Sequence, residues 1–187
     1  MSDALAWVER FHDVVDELAA KVAAAHDGRL RCRAGCSGCC SDDLNVFELE
    51  ADLIASRHPD VLEHEAPHPE GACAFLDGEG RCRVYDVRPY VCRTQGLPLR
   101  WIEEDDDGEI VEARDVCPLN EDGGPPLEEL RADDLWTIGP FEERLGERQR
   151  AHDAGEGRRI ALRTLFRRSE PAVPPARAAK HRLPIVR

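Results

Sequence analysis

The stretch Cys32-Arg-Ala-Gly-Cys36-Ser-Gly-Cys39-Cys40 holds four of the chain's eight cysteines in nine residues. Packing does not explain four thiols this close together. Thiolates are soft ligands that suit zinc, iron–sulfur centres and cuprous ions, and each such ion needs several of them at one place. The fold is therefore expected to bring the other four, Cys73, Cys82, Cys92 and Cys117, toward that stretch. Cys36-Ser-Gly-Cys39 is a C-x2-C turn whose small residues let both sulfurs face one ion. Neighbouring side chains tend to diverge, so Cys39 and Cys40 are expected to serve different ions or different edges of one cluster. Eight thiolates fill two four-coordinate sites, or supply one [4Fe-4S] cluster with the remainder structural or catalytic. The residues alone leave zinc and iron both open.

Redox compartment decides between metal and disulfides. The opening Met1-Ser-Asp-Ala-Leu-Ala-Trp-Val-Glu-Arg lacks the basic and apolar segments of a secretory signal, and no run approaches the roughly 20 apolar residues of a membrane helix. A cytoplasmic location without membrane contact is expected, where thiols stay reduced and clustered cysteines point to metal. A net charge of −13 argues against nucleic acid or an anionic membrane as partner. With aromatics at 5% and a single Met, large core side chains are scarce. A bound ion would supply part of the missing folding energy, since structural zinc contributes on the order of 10 kcal/mol in small peptides.

The surrounding pattern predicts an α+β fold: a small cysteine-rich, metal-bound core with short β-hairpins, flanked by N- and C-terminal helices. Leu5, Val8, Phe11, Val15, Leu18 and Val22 recur at helical steps, placing a helix over about residues 3–26, capped by Ser2 and ended near Gly28. His12 and His26 fall at its polar side and are expected to be solvated. Leu44–Phe47 suits a short strand and Glu48–Arg57 a helix stopped near Pro59, with a solvated histidine-containing loop over residues 58–71. An Asp77-Gly78 turn predicts a hairpin that brings Cys73 and Cys82 together at its base, and Pro89 opens a short helix presenting Cys92. A second hairpin joins residues 97–102 to 110–116. Its acidic tip partly mimics a calcium loop, but Arg114 stands where the bidentate Glu belongs, so a solvated tip is expected. Helices are expected at 127–130, 134–152 (kinked or restarted at Pro140) and 158–168. Residues 1–157 are read as one cysteine-cluster domain, with 16 basic against 37 acidic residues. Residues 158–187 are read as a basic helix and a Pro/Ala-rich tail that frays after Ser169.

Arg31, Arg33, Arg81, Arg83, Arg88 and Arg93 flank cysteines in an otherwise acidic chain. Four thiolates on a divalent ion leave about −2, which nearby guanidinium groups offset while donating hydrogen bonds to sulfur. Arg88 and Arg93, either side of Cys92, are the candidates for contact with a cofactor's outer shell or with an anion.

The array Cys36-x2-Cys39-Cys40, Cys73-x-Phe-Leu, Cys82-x-Val-Tyr85-x2-Arg88-Pro89-x2-Cys92-Arg93 and Cys117-Pro118 resembles the YkgJ-type CxxCxxCC family, a zinc- or iron-chelating domain, over about residues 32–118. The first gap departs from that pattern, with three residues between Cys32 and Cys36 where the family name implies two. The resemblance implies metal binding through Cys32, Cys36, Cys39, Cys40, Cys73, Cys82, Cys92 and Cys117. Larger relatives are lysine N-methylases, which keeps open a metal- or cluster-dependent enzyme of redox or group-transfer type. The chain has no Gly-rich nucleotide loop after a strand and no zinc-deaminase signature.

Overall fold

A computed structural model describes residues 2–168 of the protein, and its architecture is α+β. Helix α1 (Asp3–Ala25) is the spine. The Ser2 hydroxyl accepts from the Leu5 N–H at 3.3 Å, and Asp3 places negative charge where the helix dipole is positive. Gly28, at φ +89°, turns the chain beyond the helix end. Two apolar clusters share α1. Ala4 and Val8 join the first; Phe11, Val15 and Ala19 join the second.

The first cluster is built on α2 (Glu48–Arg57), whose Leu49, Ala51, Leu53 and Ile54 are buried. Strand β1 (Asn45–Phe47) leads into α2, and Pro59 starts a further short helix, α3 (Pro59–His64), where a loop was expected. Proline's fixed φ and missing N–H suit a first helical turn, so the same residue ends one helix and begins the next. Phe75, Val84, Val87, Leu165 and Phe166 complete the cluster, and Cys73 and Cys82 pack against its edge.

The second cluster joins α4 (Tyr90–Thr94), β4 (Trp136–Thr137), α5 (Pro140–His152) and the start of β2 (Leu99–Glu104), which pairs with β3 (Ile110–Asp115). Strands β2 and β3 pair antiparallel from Leu99↔Asp115 to Glu104↔Ile110, and β4 pairs parallel to β2. At the hairpin tip the Asp105 carboxylate accepts from the N–H groups of Asp107 and Glu109, so that acid is engaged by its own turn.

Four further expectations need correction. His12 and His26 are buried, not solvated: His12 Nε2 meets Glu50 Oε1 at 3.0 Å, and His26 Nε2 meets the Asp134 carbonyl at 2.6 Å. Helices and turns far along the chain cover the side of α1 that its own sequence marks as polar. The hairpin around Asp77 reduces to one antiparallel bridge, Leu76↔Cys82, because the chain turns at residues 83–84 into the 3₁₀ segment Tyr85–Val87 rather than continuing as a strand. The helix expected over 134–152 begins only at Pro140, since Trp136–Thr137 gain more by pairing with β2. Residues 158–168 divide into β5 (Arg159–Ala161), antiparallel to β1, and the short α6 (Thr164–Arg168). The tail after Ser169 lies outside the described residues. No described helix is long and apolar enough to cross a membrane.

Candidate metal centre

All eight cysteines are free thiols, and the charges their sulfurs exert on one another sort seven of them into two groups that meet at Cys39–Cys40. Cys40, Cys73, Cys82 and Cys92 form the first. The Cys73 N–H donates to the Cys40 carbonyl at 2.9 Å, which ties the Cys32–Cys40 stretch to the turn at 73–82. The Leu76↔Cys82 bridge folds Cys82 back toward Cys73, and α4 carries Cys92 in from the other side. Burial, then the charges of Cys39, Cys73 and Cys82, push the Cys40 thiol up to about 12. Burial and the charges of Cys73, Cys82, Glu50 and Cys40 push Cys92 up further. These mutual effects require the four sulfurs to lie within electrostatic reach of one another.

Cys39 anchors the second group. Its thiol is raised first by burial and then, against its own N–H and the Cys40 hydrogen bond, by the charges of Cys117 and Cys32. Cys117 precedes a 3₁₀ segment (Pro118–Gly123) whose Asn120 N–H donates to the Cys117 carbonyl at 2.7 Å. Cys36 is tied to Cys39 by its C-x2-C spacing, and its N–H closes a turn on the Arg33 carbonyl at 2.9 Å. The expected divergence of Cys39 and Cys40 is incomplete, because their thiols hydrogen-bond to each other while facing different groups.

Among the described residues, no three Cys, His, Asp or Glu side chains close on a common point as a finished ligand shell. The donor chemistry nevertheless fits a soft cation. The thiols disfavour one another's ionisation, a penalty that a cation between them reverses. The Phe75 N–H donates to the Cys73 sulfur and the Val84 N–H to the Cys82 sulfur, each from two residues on. Such donors favour the thiolate form and orient it, as the outer contacts of thiolate–metal sites do.

The flanking arginines divide in use. Arg88 lowers the burial-raised Cys82 thiol by its charge, and Arg83 does the same for Cys73. Arg88 also lies 4.0 Å over the Tyr85 ring and 3.6 Å from Asp16. Arg93 is turned away: buried, it pairs with Asp16 and donates to the carbonyls of Arg88 and Asp86 at 2.8 and 3.1 Å. Arg81 pairs with Asp77 and Glu79 on the surface. A cavity of about 290 Å³ runs along α4 past Tyr90, Val91, Thr94 and Gln95, with Cys92 outside its lining.

Sequence reasoning missed four contributors. Arg163 acts on Cys73 and reaches from beyond β5 to Asp42 and to the carbonyls of His68 and Ala72 at 2.8 and 2.9 Å, lacing the segment before Cys73. Arg29, buried, donates to the carbonyls of Asn120 and Glu121 at 3.3 Å. Asn120 and Gly96 stand directly against Cys32. Each depends on chain dozens of residues away, and none carries a local motif; nothing in the sequence marks them.

The clustered thiols and their backbone donors are the chemistry of a thiolate-rich, metal-chelating class of domain. Residues 31–118 match the family model CxxCxxCC, described as a "Putative zinc- or iron-chelating domain". The match makes that segment similar to the CxxCxxCC family, and metal chelation is the property the family description carries. No curated protein and no solved structure matched the chain.

Proposed function

We propose that the protein binds two metal ions, zinc or iron, through its eight cysteines in two adjacent four-thiolate sites. Cys40, Cys73, Cys82 and Cys92 form one; Cys32, Cys36, Cys39 and Cys117 form the other. The observation that carries the reading is the convergence of Cys40, Cys73, Cys82 and Cys92: the Cys73 N–H binds the Cys40 carbonyl at 2.9 Å, the Leu76↔Cys82 bridge folds Cys82 back toward Cys73, and burial with the charges of Cys40, Cys73 and Cys82 raises the Cys92 thiol. Those residues arrive from three separate segments, which hydrophobic packing alone does not require. Four thiolates satisfy a tetrahedral ion completely, so closed structural or storage sites follow more naturally than an open catalytic position. Arg83, Arg88 and Arg163 offset part of the excess negative charge at the first site.

Metal analysis with an absorption spectrum on protein purified without oxygen tests this. A colourless protein with two zinc ions per chain supports two tetrahedral sites. A brown protein with acid-labile sulfide instead means an iron–sulfur centre within the same ligand set. Protein carrying no metal, with its cysteines oxidised in pairs, overturns the reading. Cys40→Ser is expected to lower metal content; unchanged content removes Cys40 from the ligand set.

A further inference from the structure

Cys32 is the ligand whose spacing fits the family pattern least, and the residue that secures it is Asn120. Asn120 is wholly buried, and its side-chain amide is fixed from both ends. Its Oδ1 accepts from the Arg31 N–H at 2.7 Å. That bond orients the amide nitrogen toward the Gly96 carbonyl, to which it donates at 2.8 Å, and toward Cys32 Sγ at 3.8 Å. The amide has two N–H donors, so both contacts are satisfied at once. The backbone of the same residue binds the two flanking segments: its N–H donates to the Cys117 carbonyl, and its carbonyl accepts from Arg29. From the opposite side, the Cys32 sulfur is pressed on Gly96. A Cβ on that residue would come within 2.4 Å of Cys32 Sγ, yet 3.6 Å from the Asn120 amide nitrogen.

We propose that Asn120 is a positioning residue for metal binding: its amide N–H holds the Cys32 sulfur as a thiolate ligand beside Cys117, within a crevice that Gly96 leaves open. This rests on the two-site reading above. A neutral donor stabilises a thiolate without the ion pairing that diverts arginines in this chain to carboxylates. It also explains why an irregular Cys32–Cys36 gap is tolerated, since Cys32 is placed by a distant side chain rather than by its local turn.

The test is a cobalt(II) titration of the full-length protein under anaerobic conditions, following thiolate-to-cobalt charge-transfer absorption and the equivalents bound. Asn120→Asp keeps the acceptor for the Arg31 N–H but replaces the donor with a carboxylate. It is expected to weaken one of the two sites about 10- to 100-fold, the usual effect of losing an outer-shell partner, while leaving the other unchanged. Cys32→Ser should reduce the charge-transfer intensity of that same site. If Asn120→Asp does not fold, Gly96→Ala takes its place: at φ +89° the added methyl strains the backbone and would lie 2.4 Å from Cys32 Sγ, so the sulfur must shift, and the same selective weakening is expected. Two wild-type sites with the folded Asn120→Asp variant, or else Gly96→Ala, titrating like wild type would overturn the inference alone, as would unchanged absorption in Cys32→Ser. A wild-type protein that takes up no cobalt would overturn the two-site reading and this inference with it.

Discussion

Glu50 ties the hydrophobic core to the helix that carries Cys92. Its Oε1 accepts from the Tyr90 N–H at 2.6 Å, at the first residue of α4, and meets His12 Nε2 at 3.0 Å. Both side chains of the pair are 3% exposed. Glu50→Ala leaves the Tyr90 N–H and the His12 ring nitrogen buried without a partner. At about 1–3 kcal/mol for each orphaned group, the cost is about 2–6 kcal/mol. Domains of this size have only about 5–15 kcal/mol in total, so the alanine variant should be only partly folded in mild urea. Glu50→Gln keeps an oxygen in the same place and should cost no more than about 1–2 kcal/mol. Equilibrium urea unfolding, followed by tryptophan fluorescence and far-ultraviolet circular dichroism, measures both. Equal and small losses for the two variants would refute the claim that Glu50 anchors α4 through these bonds.

Three further outcomes follow from the same contacts. Phe75 is fully buried between Cys73 and Cys82, with its ring 5.0 Å from that of Phe166, so Phe75→Ala should cost about 3–5 kcal/mol in urea unfolding. A loss below 1 kcal/mol would mean that this cluster does not support the cysteine turn. Gly123→Ala would put a methyl 2.4 Å from the Arg29 Cα and 2.8 Å from its carbonyl, backbone atoms that cannot swing aside. A clear drop in melting temperature is expected, and an unchanged melt would refute that contact. The Cys40 thiol, raised chiefly by burial from the ordinary 9.0 to about 12, favours the metal-free fold only while neutral. That stabilisation is fully present below pH 9 and is lost as pH rises from 9 toward 12. Urea midpoints of metal-free protein should fall over this window and those of metal-loaded protein much less, since the ion requires thiolates. Equal midpoints below and within the window for the metal-free form would refute the burial of Cys40.

Local chemistry was readable where local forces dominate. The stripe on α1, its Ser2 cap, the bounds of α2, the proline before α4 and the 97–116 hairpin all follow from spacing, capping and turn residues within a few positions of each other. The density of thiols in Cys32–Cys40 by itself points to metal, and the match over 31–118 agrees. What tertiary structure decided is partnership across long separations. Burial of His12 and His26 depends on Glu50 and Asp134, and the strand pairing of Trp136 depends on β2. Arg93 looked like an anion contact beside Cys92, yet it is committed to Asp16 on α1, while Arg163, 90 residues from Cys73, acts on that thiol instead. The sorting of seven cysteines into two groups, with adjacent Cys39 and Cys40 facing different ones, has the same origin. A sulfur's neighbours are set by how segments cross in space, and a buried donor such as Asn120 costs free energy unless the whole fold supplies its partners.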